Sequence, residues 1–350
     1  MKLIQIPSDI SIIAGNVGEI IATGPRHHVV MEMDYGSDLW AGGSCSIRLW
    51  SPAGSTSINA GNLGGVPWEV AVDGIQRFTG FLSSPAIVVE RTMGGYMRIF
   101  TLRDCLSAWG VLLTNKVYPD PPTVSATYKV TDALTTMIST VSGLSGVPAY
   151  GSTPVNAMLV TDMYEDRIME VNNSTYLAEI ERICQNLGYK VFCDCAFKDV
   201  RLLDVTALPL GSFTPDWEST ISAAYSLDAT SIPATVLASD DSLGKGIAYG
   251  KQGAGVNWHG GNYAITGINN LTWASTVGIA EDHLAGIAHK TYDLARGGSK
   301  NLTVVVADHE ANRRMVGLGL EWDGGTYFLY SHHTHVSASE YKTTYQAWGT

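Results

Sequence analysis

Trp68-Glu69-Val70-Ala71-Val72-Asp73-Gly74, returning through Phe78-Thr79-Gly80-Phe81-Leu82, is the stretch that decides how this chain is read. Trp68, Val70 and Val72 fall at every second position, the period of a strand with one covered face. An Asp-Gly pair between two such runs is a strong hairpin signal, because tight turns between twisted strands need residues that tolerate positive φ. The same strand period recurs on either side. Val29-Val30-Met31-Glu32-Met33-Asp34 places Val29, Met31 and Met33 on one face, and Met97–Leu102 adds a further strand. Arg103-Asp104-Cys105-Leu106-Ser107-Ala108-Trp109 then reads as a short helix closing a first β-barrel-like domain, residues 1–113.

Tyr118-Pro119-Asp120-Pro121-Pro122 breaks helix and sheet alike and marks a boundary. Beyond it the period turns helical. Val130, Ala133, Leu134, Met137, Ile138 and Val141 share one face, with Gly143 as the expected stop. A second helix carries Leu177, Ile180, Ile183, Cys184 and Leu187, with Ser174 or Thr175 as its cap and Gly188 beyond its end. Strands Tyr189–Cys195 and Val200–Val205 complete a small α+β unit over residues 114–210.

Residues 211–350 read as a second β-barrel-like domain with a Gly-rich insertion, in which roughly 240–298 is expected to pack against the middle unit. The insertion reads as irregular until one amphipathic helix from about Val277 to Arg296. Glu281 and Asp282 near its start and Lys290 and Arg296 near its end suit the helix dipole. Leu302, Val304 and Val306 alternate, and Met315–Trp322, Tyr327–Tyr330 and Tyr341–Ala347 follow. Leu320-Glu321-Trp322-Asp323-Gly324 repeats the form of Val70–Gly74, a faint sign of duplication. The fold class expected is therefore mainly β with an α+β insert: two β-barrel-like domains bracketing a small α+β domain.

Composition narrows the function classes. In 350 residues, 45% are hydrophobic and 16% charged, which describes a globular chain and not a disordered one. A net charge of −11 without basic clusters argues against broad phosphate-backbone binding. No apolar run approaches the roughly 18 residues that cross a bilayer. Met1-Lys2-Leu3-Ile4-Gln5 meets Ser8-Asp9 too soon for a signal-peptide core, so synthesis in the cytoplasm is expected.

No catalytic residue, cofactor-binding residue or metal ligand is expected from the motifs present. Five cysteines do not make a disulfide framework. Cys184, Cys193 and Cys195 could form a thiolate cluster, but their spacing fits no common zinc pattern, and buried reduced thiols are the plainer reading. His333 and His335 share a strand face beside His332 and would need a further ligand to hold a metal; interface positions are the reading preferred. His309-Glu310 lacks the second zincin histidine, since Arg313 stands there. Gly143-Leu144-Ser145-Gly146 lacks nucleophile-elbow spacing, and the glycines of 244–255 include no phosphate-loop lysine motif. Glu165-Asp166, Asp240-Asp241 and Glu281-Asp282 are sequence neighbours, which do not face each other across a cleft. Asn172 and Asn173 match glycosylation sequons by chance. Trp40, Trp50, Trp68, Trp258 and Trp322 read as core or subunit-interface anchors before a carbohydrate cleft.

Three stretches carry a resemblance: Val72–Gly74 with Phe78–Gly80 and Ile99–Leu106; Tyr176–Cys184 with Leu187–Asp194; and the 277–297 helix leading into Leu302–Val306. Their order resembles the phage tail baseplate hub family of contractile tails, related to the front half of type VI secretion spikes. The stretch from about 240 to 275 has no counterpart. The resemblance implies a homotrimer adapting a sixfold tail tube to a threefold central spike protein. It also implies contacts with the tail tube or tube-initiator protein, the tape-measure protein and baseplate wedge proteins. Genomic DNA would pass through the channel without specific binding, and the chain would sit in the virion tail baseplate after assembly in the host cytoplasm. With nothing after the last hairpins, a separate chain is expected to supply the piercing tip. The competing expectation is a tail-associated carbohydrate-active enzyme or sugar-binding protein.

Overall fold

The computed structural model describes residues 10–14, 19–22, 29–53, 67–118, 130–145, 169–187, 189–196, 199–204, 209, 211–227, 233–240, 245–249, 269–275, 284, 288, 291, 292, 295, 300–307 and 316–349. It is mainly β. The first strands are β1 (Ile10–Ala14), β2 (Glu19–Ala22), β3 (Val29–Asp38), β4 (Gly42–Pro52), β5 (Trp68–Val72), β6 (Ile75–Thr92) and β7 (Gly95–Arg103). The Asp73-Gly74 turn joins β5 to β6, setting Val72 opposite Ile75 and Val70 opposite Phe78. Both turn residues have positive φ, 50° and 73°, as a tight hairpin requires. Trp68, Val70 and Val72 are fully buried, and the Trp68 ring lies 5.4 Å from that of Phe100.

Strand β6 then changes partner. It pairs β5 up to Gly80 and β7 from Phe81 to Thr92, with a break in register between Leu82 and Ile87 that lets one long strand turn a corner. A second irregularity corrects the expectation for β3. The β3–β4 register shifts between Val30 and Glu32, so Met31 is exposed, and Val30 packs on the core in its place. Met33 and Tyr35 resume the buried face.

Helix α1 (Leu106–Trp109) follows β7 and buries Leu106 and Trp109. Asp104 explains how it begins. Its carboxylate, almost fully buried, accepts the Gly43 N–H at 2.6 Å and those of Leu106 and Ser107. One side chain thus ties the start of β4 to the first turn of α1.

The middle of the chain contains β8 (Leu113–Tyr118), α2 (Val130–Ser145), β9 (Met169–Thr175), α3 (Tyr176–Leu187), β10 (Tyr189–Asp194) and β11 (Asp199–Asp204). Helix α2 buries Ala133, Leu134, Met137 and Val141, the face its periodicity requires. It does not stop at Gly143. That residue lies on the exposed side with open space around it, and a penalty of about 1 kcal/mol is too small to end a helix held by its other face. Thr175 caps α3, its hydroxyl accepting the Ala178 N–H at 3.2 Å, and Ile180, Ile183 and Cys184 are buried. Gly188 and the Pro-rich link at 119–122 lie outside the described residues.

Next come β12 (Ser212–Phe213), β13 (Thr220–Leu227), β14 (Pro233–Asp240), β15 (Lys245–Tyr249) and β16 (Asn269–Ser275). The supposedly irregular stretch therefore contains a three-stranded sheet ordered β15–β14–β16, with β14 and β16 parallel. Leu284, Ala288, Thr291, Tyr292 and Ala295 have helical backbone, and the rest of the expected 277–296 helix lies outside the described residues. Leu284, Ala288, Tyr292, Val236 and Ala238 join the same buried cluster as the α2 and α3 faces.

The chain closes with β17 (Lys300–Val306), β18 (Gly319–Trp322), β19 (Gly325–Ser337) and β20 (Tyr341–Gly349). Asp323 and Gly324, at φ 48° and 74°, repeat the Asp73-Gly74 turn almost to the degree. Leu302, Val304, Val306, Leu329, Tyr345 and Ala347 form a separate cluster behind these strands, and Trp348 stacks on Phe328 at 4.9 Å and Tyr330 at 5.0 Å.

One sheet of 13 strands carries both ends of the chain, in the order β13–β17–β20–β19–β3–β4–β7–β6–β5–β1–β2, with β18 and β12 branching from β19. Its seam is the antiparallel pair β3–β19, from Glu32 opposite Ser337 to Asp38 opposite Ser331. The buried hydroxyls of Tyr35 and Tyr341 meet across the interior there at 3.2 Å. Gly36 is required at this seam: a Cβ would lie 2.3 Å from the carbonyl oxygen of His332. No helix among the described residues is long and apolar enough to cross a membrane.

Candidate functional site: an open sheet edge beside an aromatic cleft

Strand β13 ends the large sheet. It pairs β17 along one edge, and the other edge has no strand partner among the described residues. Residues 221–226 are exposed on both faces, including Ile221 and Tyr225. A strand with unpaired N–H and C=O groups on one edge is a template for another strand, and natural proteins usually blunt such edges with charge, proline or a covering element. Ile221-Ser222-Ala223-Ala224-Tyr225-Ser226 uses neither charge nor proline.

Beside this strand lies a cleft of about 1060 Å³, lined by Pro215, Trp217, Tyr225, Glu321, Trp322 and Thr326 among others. Two local structures build it. In the turn before β13, Asp216 accepts the Glu218 N–H on its carboxylate and the Ser219 and Thr220 hydroxyls on its carbonyl, which turns Trp217 outward, 76% exposed. Opposite, the β18–β19 hairpin carries Trp322 just before its Asp323-Gly324 tip. The two tryptophan rings stack at 5.5 Å, and Tyr225 lies 6.1 Å from Tyr327. Desolvation and the neighbouring Tyr327 raise the Tyr225 hydroxyl above its ordinary pKa.

Glu321 lines this cleft. It accepts hydrogen bonds from the Ser212 and Thr214 hydroxyls, which lower its pKa and hold it ionised. It thereby joins β12 to β18, and both hydroxyls that reach it are already used. A fixed anion with satisfied neighbours positions strands; an acid catalyst needs the opposite shift. The cleft's assets are apolar area, π-faces and an adjacent open edge, which suit a partner strand with apolar side chains.

The residues singled out from sequence are dispersed. Trp68 is core, Trp40 is exposed with its ring 6.0 Å from Trp348, Trp322 lines the cleft, and Trp258 lies outside the described residues. Trp217 was not singled out, since an isolated aromatic in a polar stretch gives no periodic signal. All five cysteines are buried and none is in a disulfide. Cys193 and Cys195 adjoin Cys105 of the first β unit instead of grouping with Cys184. The contact with Cys105 pulls the Cys193 thiol down, but Cys195 and burial outweigh it, and burial likewise raises Cys184 and Cys45. Protonated thiols are poor nucleophiles and poor ligands.

The histidine run lies on β19. His332 points into the sheet interior, where burial, His333 and Arg77 push its pKa down to about 4. His333 and His335 share the outer face, as strand period requires, facing Glu32 and Asp34 of β3. Gly143, Leu144 and Ser145 form the last turn of α2. His309, Glu310, Arg313, the Glu165-Asp166 and Glu281-Asp282 pairs, and the glycines from 250 to 255 lie outside the described residues.

No protein-family model and no curated protein matches the sequence. Solved structures do match the fold over nearly its whole length. The 43 kDa tail protein of prophage MuSo2 from Shewanella oneidensis is similar with a TM-score of 0.68 at 12% identity, over 97% of each chain. A tail protein from Neisseria meningitidis MC58 gives 0.64 at 14% identity, over 97% of this chain and 96% of the other. The Escherichia coli c3393 protein, a type VI secretion component described as structurally similar to bacteriophage T4 tail proteins gp27 and gp5, gives 0.57 at 8% identity, over 97% and 76%. The chain thus has the fold of phage tail proteins and of a type VI secretion component. These neighbours fit the baseplate hub family that the sequence order resembles.

Proposed function

We propose that this chain is the structural hub of a phage-type tail baseplate, working as a homotrimer that adapts a sixfold tail tube to a threefold central spike. The observation that carries this reading is the likeness to tail proteins over 96–97% of both chains, combined with the matched Asp-Gly hairpins of the two β units. Three chains with two similar β units each would offer six comparable surfaces to a tube and three to a spike. Closed cyclic symmetry then needs one complementary pair of faces per chain. The open β13 edge and its cleft serve as one of those faces, receiving the neighbouring copy.

On this reading the mechanism is geometric. The hub closes the tube's end, seeds its polymerisation and passes on release of the spike. Its partners are the spike protein, the tube or tube-initiator protein, the tape-measure protein and the baseplate wedge proteins. Genomic DNA passes without specific binding, helped by the chain's net negative charge. The chain resides in the virion tail after assembly in the cytoplasm. Its three working domains are residues 1–113, 114–210 and 211–350, and none is catalytic.

Co-expression with the neighbouring tail chains, followed by mass measurement and electron microscopy, tests the proposal. Three copies around a central channel are expected; a monomer in the assembled tail tip contradicts it. A sugar-binding role has one observation in its favour, the stacked Trp217–Trp322 pair in an open cleft. Glycan-array binding abolished by Trp217→Ala would support that reading over the hub interface.

A further inference from the structure

The seam between the two ends of the chain gathers a donor set whose chemistry suits a metal ion. Glu32 and Asp34 lie two apart on β3, and His333 and His335 two apart on β19, so all four side chains rise from the outer face of the β3–β19 pair. Glu32, Asp34 and His335 each present one ligand atom, and the three atoms lie within 4.8 Å of one another. Asp34 Oδ1 is 2.8 Å from His335 Nδ1, and Glu32 Oε1 is 3.9 Å from the same nitrogen. His333 Nε2 stands 4.0 Å from Asp34 Oδ1 but outside that three-residue group, so it reaches a fourth position by rotation of its exposed side chain.

The surroundings have already divided these groups' atoms. Arg48 takes the other Glu32 oxygen, Oε2, at 2.8 Å and leaves Oε1 toward the histidine. Lys342 takes Glu340 Oε1 at 2.9 Å and leaves Oε2 at 3.9 Å from His335 Nε2. At 2.8 Å the Asp34 carboxylate accepts from His335 Nδ1–H, so a metal on Nδ1 must displace that proton to Nε2, where Glu340 Oε2 has to close from 3.9 Å to accept it and fix the ligating tautomer. Three carboxylates, Glu32, Asp34 and Glu340, against Arg48 and Lys342 leave one net negative charge among these five groups, which a dication would offset.

We propose that Glu32, Asp34 and His335, with His333 as fourth ligand, form a binding site for a first-row divalent cation of the zinc type, clipping the N-terminal strand β3 to the C-terminal strand β19. Ligand bonds of about 2.0–2.1 Å at tetrahedral angles place donor atoms roughly 3.3 Å apart. From 3.9 Å and 2.8 Å, the Glu32–His335 approach must therefore close and the Asp34–His335 hydrogen bond open by roughly half an ångström each, through side-chain rotation. Imidazole nitrogen selects zinc, nickel or cobalt over magnesium and calcium, which prefer all-oxygen shells. The clip joins residues 301 apart in sequence, so its effect falls on the seam alone.

Zinc chloride titrated by calorimetry into the full-length chain, freed of metal with chelator, tests the site, with magnesium and calcium chloride run in parallel. One equivalent of zinc is expected to bind, at least tenfold tighter than either hard cation. His335→Ala and Asp34→Asn are each expected to weaken it tenfold or more with an unchanged circular dichroism spectrum. Equal zinc affinity in wild type and both variants, or equal affinity for calcium, overturns the proposal. Should those variants misfold, Glu32→Gln keeps the seam intact, and in the wild type zinc must slow amide exchange over residues 32–38 and 331–337; unchanged exchange overturns the site as firmly. These readouts concern the single chain and are independent of its copy number in a tail.

Discussion

Replacing Asp104 exposes how much of the first β unit hangs on one carboxylate. Its oxygens satisfy the backbone N–H of Gly43, buried at the start of β4, and those of Leu106 and Ser107 at the start of α1. Asp104→Ala leaves the Gly43 and Leu106 donors without their acceptor, while the Ser107 N–H keeps the main-chain carbonyl of residue 104 at 3.2 Å. A buried unsatisfied donor costs about 1–3 kcal/mol. The loss should therefore come from Gly43 and Leu106, about 2–6 kcal/mol in all. Asp104→Asn keeps one acceptor oxygen and should lose less.

The pH dependence separates the two variants further. Burial raises the Asp104 pKa above its usual 3.8, a rise that the Gly43, Ser107 and Leu106 amides only partly reverse. The folded protein therefore holds this proton more tightly than the unfolded chain. The side chain's contribution is full below pH 3.8 and declines as pH rises through the folded value. The wild-type margin over Asp104→Asn should thus be larger near pH 3.5 than at pH 7. Urea denaturation at both pH values, with hydrogen exchange at the Gly43 amide, measures this. An Asp104→Ala variant within about 0.5 kcal/mol of wild type, the range of neutral surface substitutions, with unchanged Gly43 exchange would refute the reasoning.

Other substitutions probe the remaining elements. Gly36→Ala drives a Cβ to 2.3 Å from the His332 carbonyl oxygen and should cost at least the 1–3 kcal/mol, roughly, of core overpacking, read as a lower urea midpoint. Gly143→Ala, on the open face of α2, should instead raise stability by about 1 kcal/mol in the same assay. Trp68→Ala empties a fully buried site against Phe100 and should cost about 3–5 kcal/mol. Ile221→Lys, on the exposed β13, should leave unfolding within about 0.5 kcal/mol of wild type yet abolish association between copies in sedimentation experiments.

Local chemistry made much of this fold legible in the sequence. The Asp73-Gly74 and Asp323-Gly324 turns were readable because positive φ at two adjacent positions is a demand that few dipeptides meet. The buried stripes of α2 and α3 follow from spacing alone. What escaped depended on partners remote in sequence. The exposure of Met31 follows from a bulge against β4, and the parallel β14–β16 pair joins strands whose short, mixed runs show no alternation on their own. The seam donors were half visible: His333 and His335 could be placed on one face, but Glu32 and Asp34 arrive from a strand some 300 residues earlier. The aromatic cleft was likewise half seen through Trp322, while Trp217 owes its position to the Asp216 turn.

In the proposed function this tail-protein fold works by assembly, three copies carrying six like β units around one axis. Electron microscopy of the chain purified with its neighbouring tail proteins tests that most directly. The prediction is a threefold ring with pseudo-sixfold symmetry in which β13 of each copy lies against the next. A single copy at the tail tip, with β13 and the Trp217–Trp322 cleft facing solvent, would contradict it.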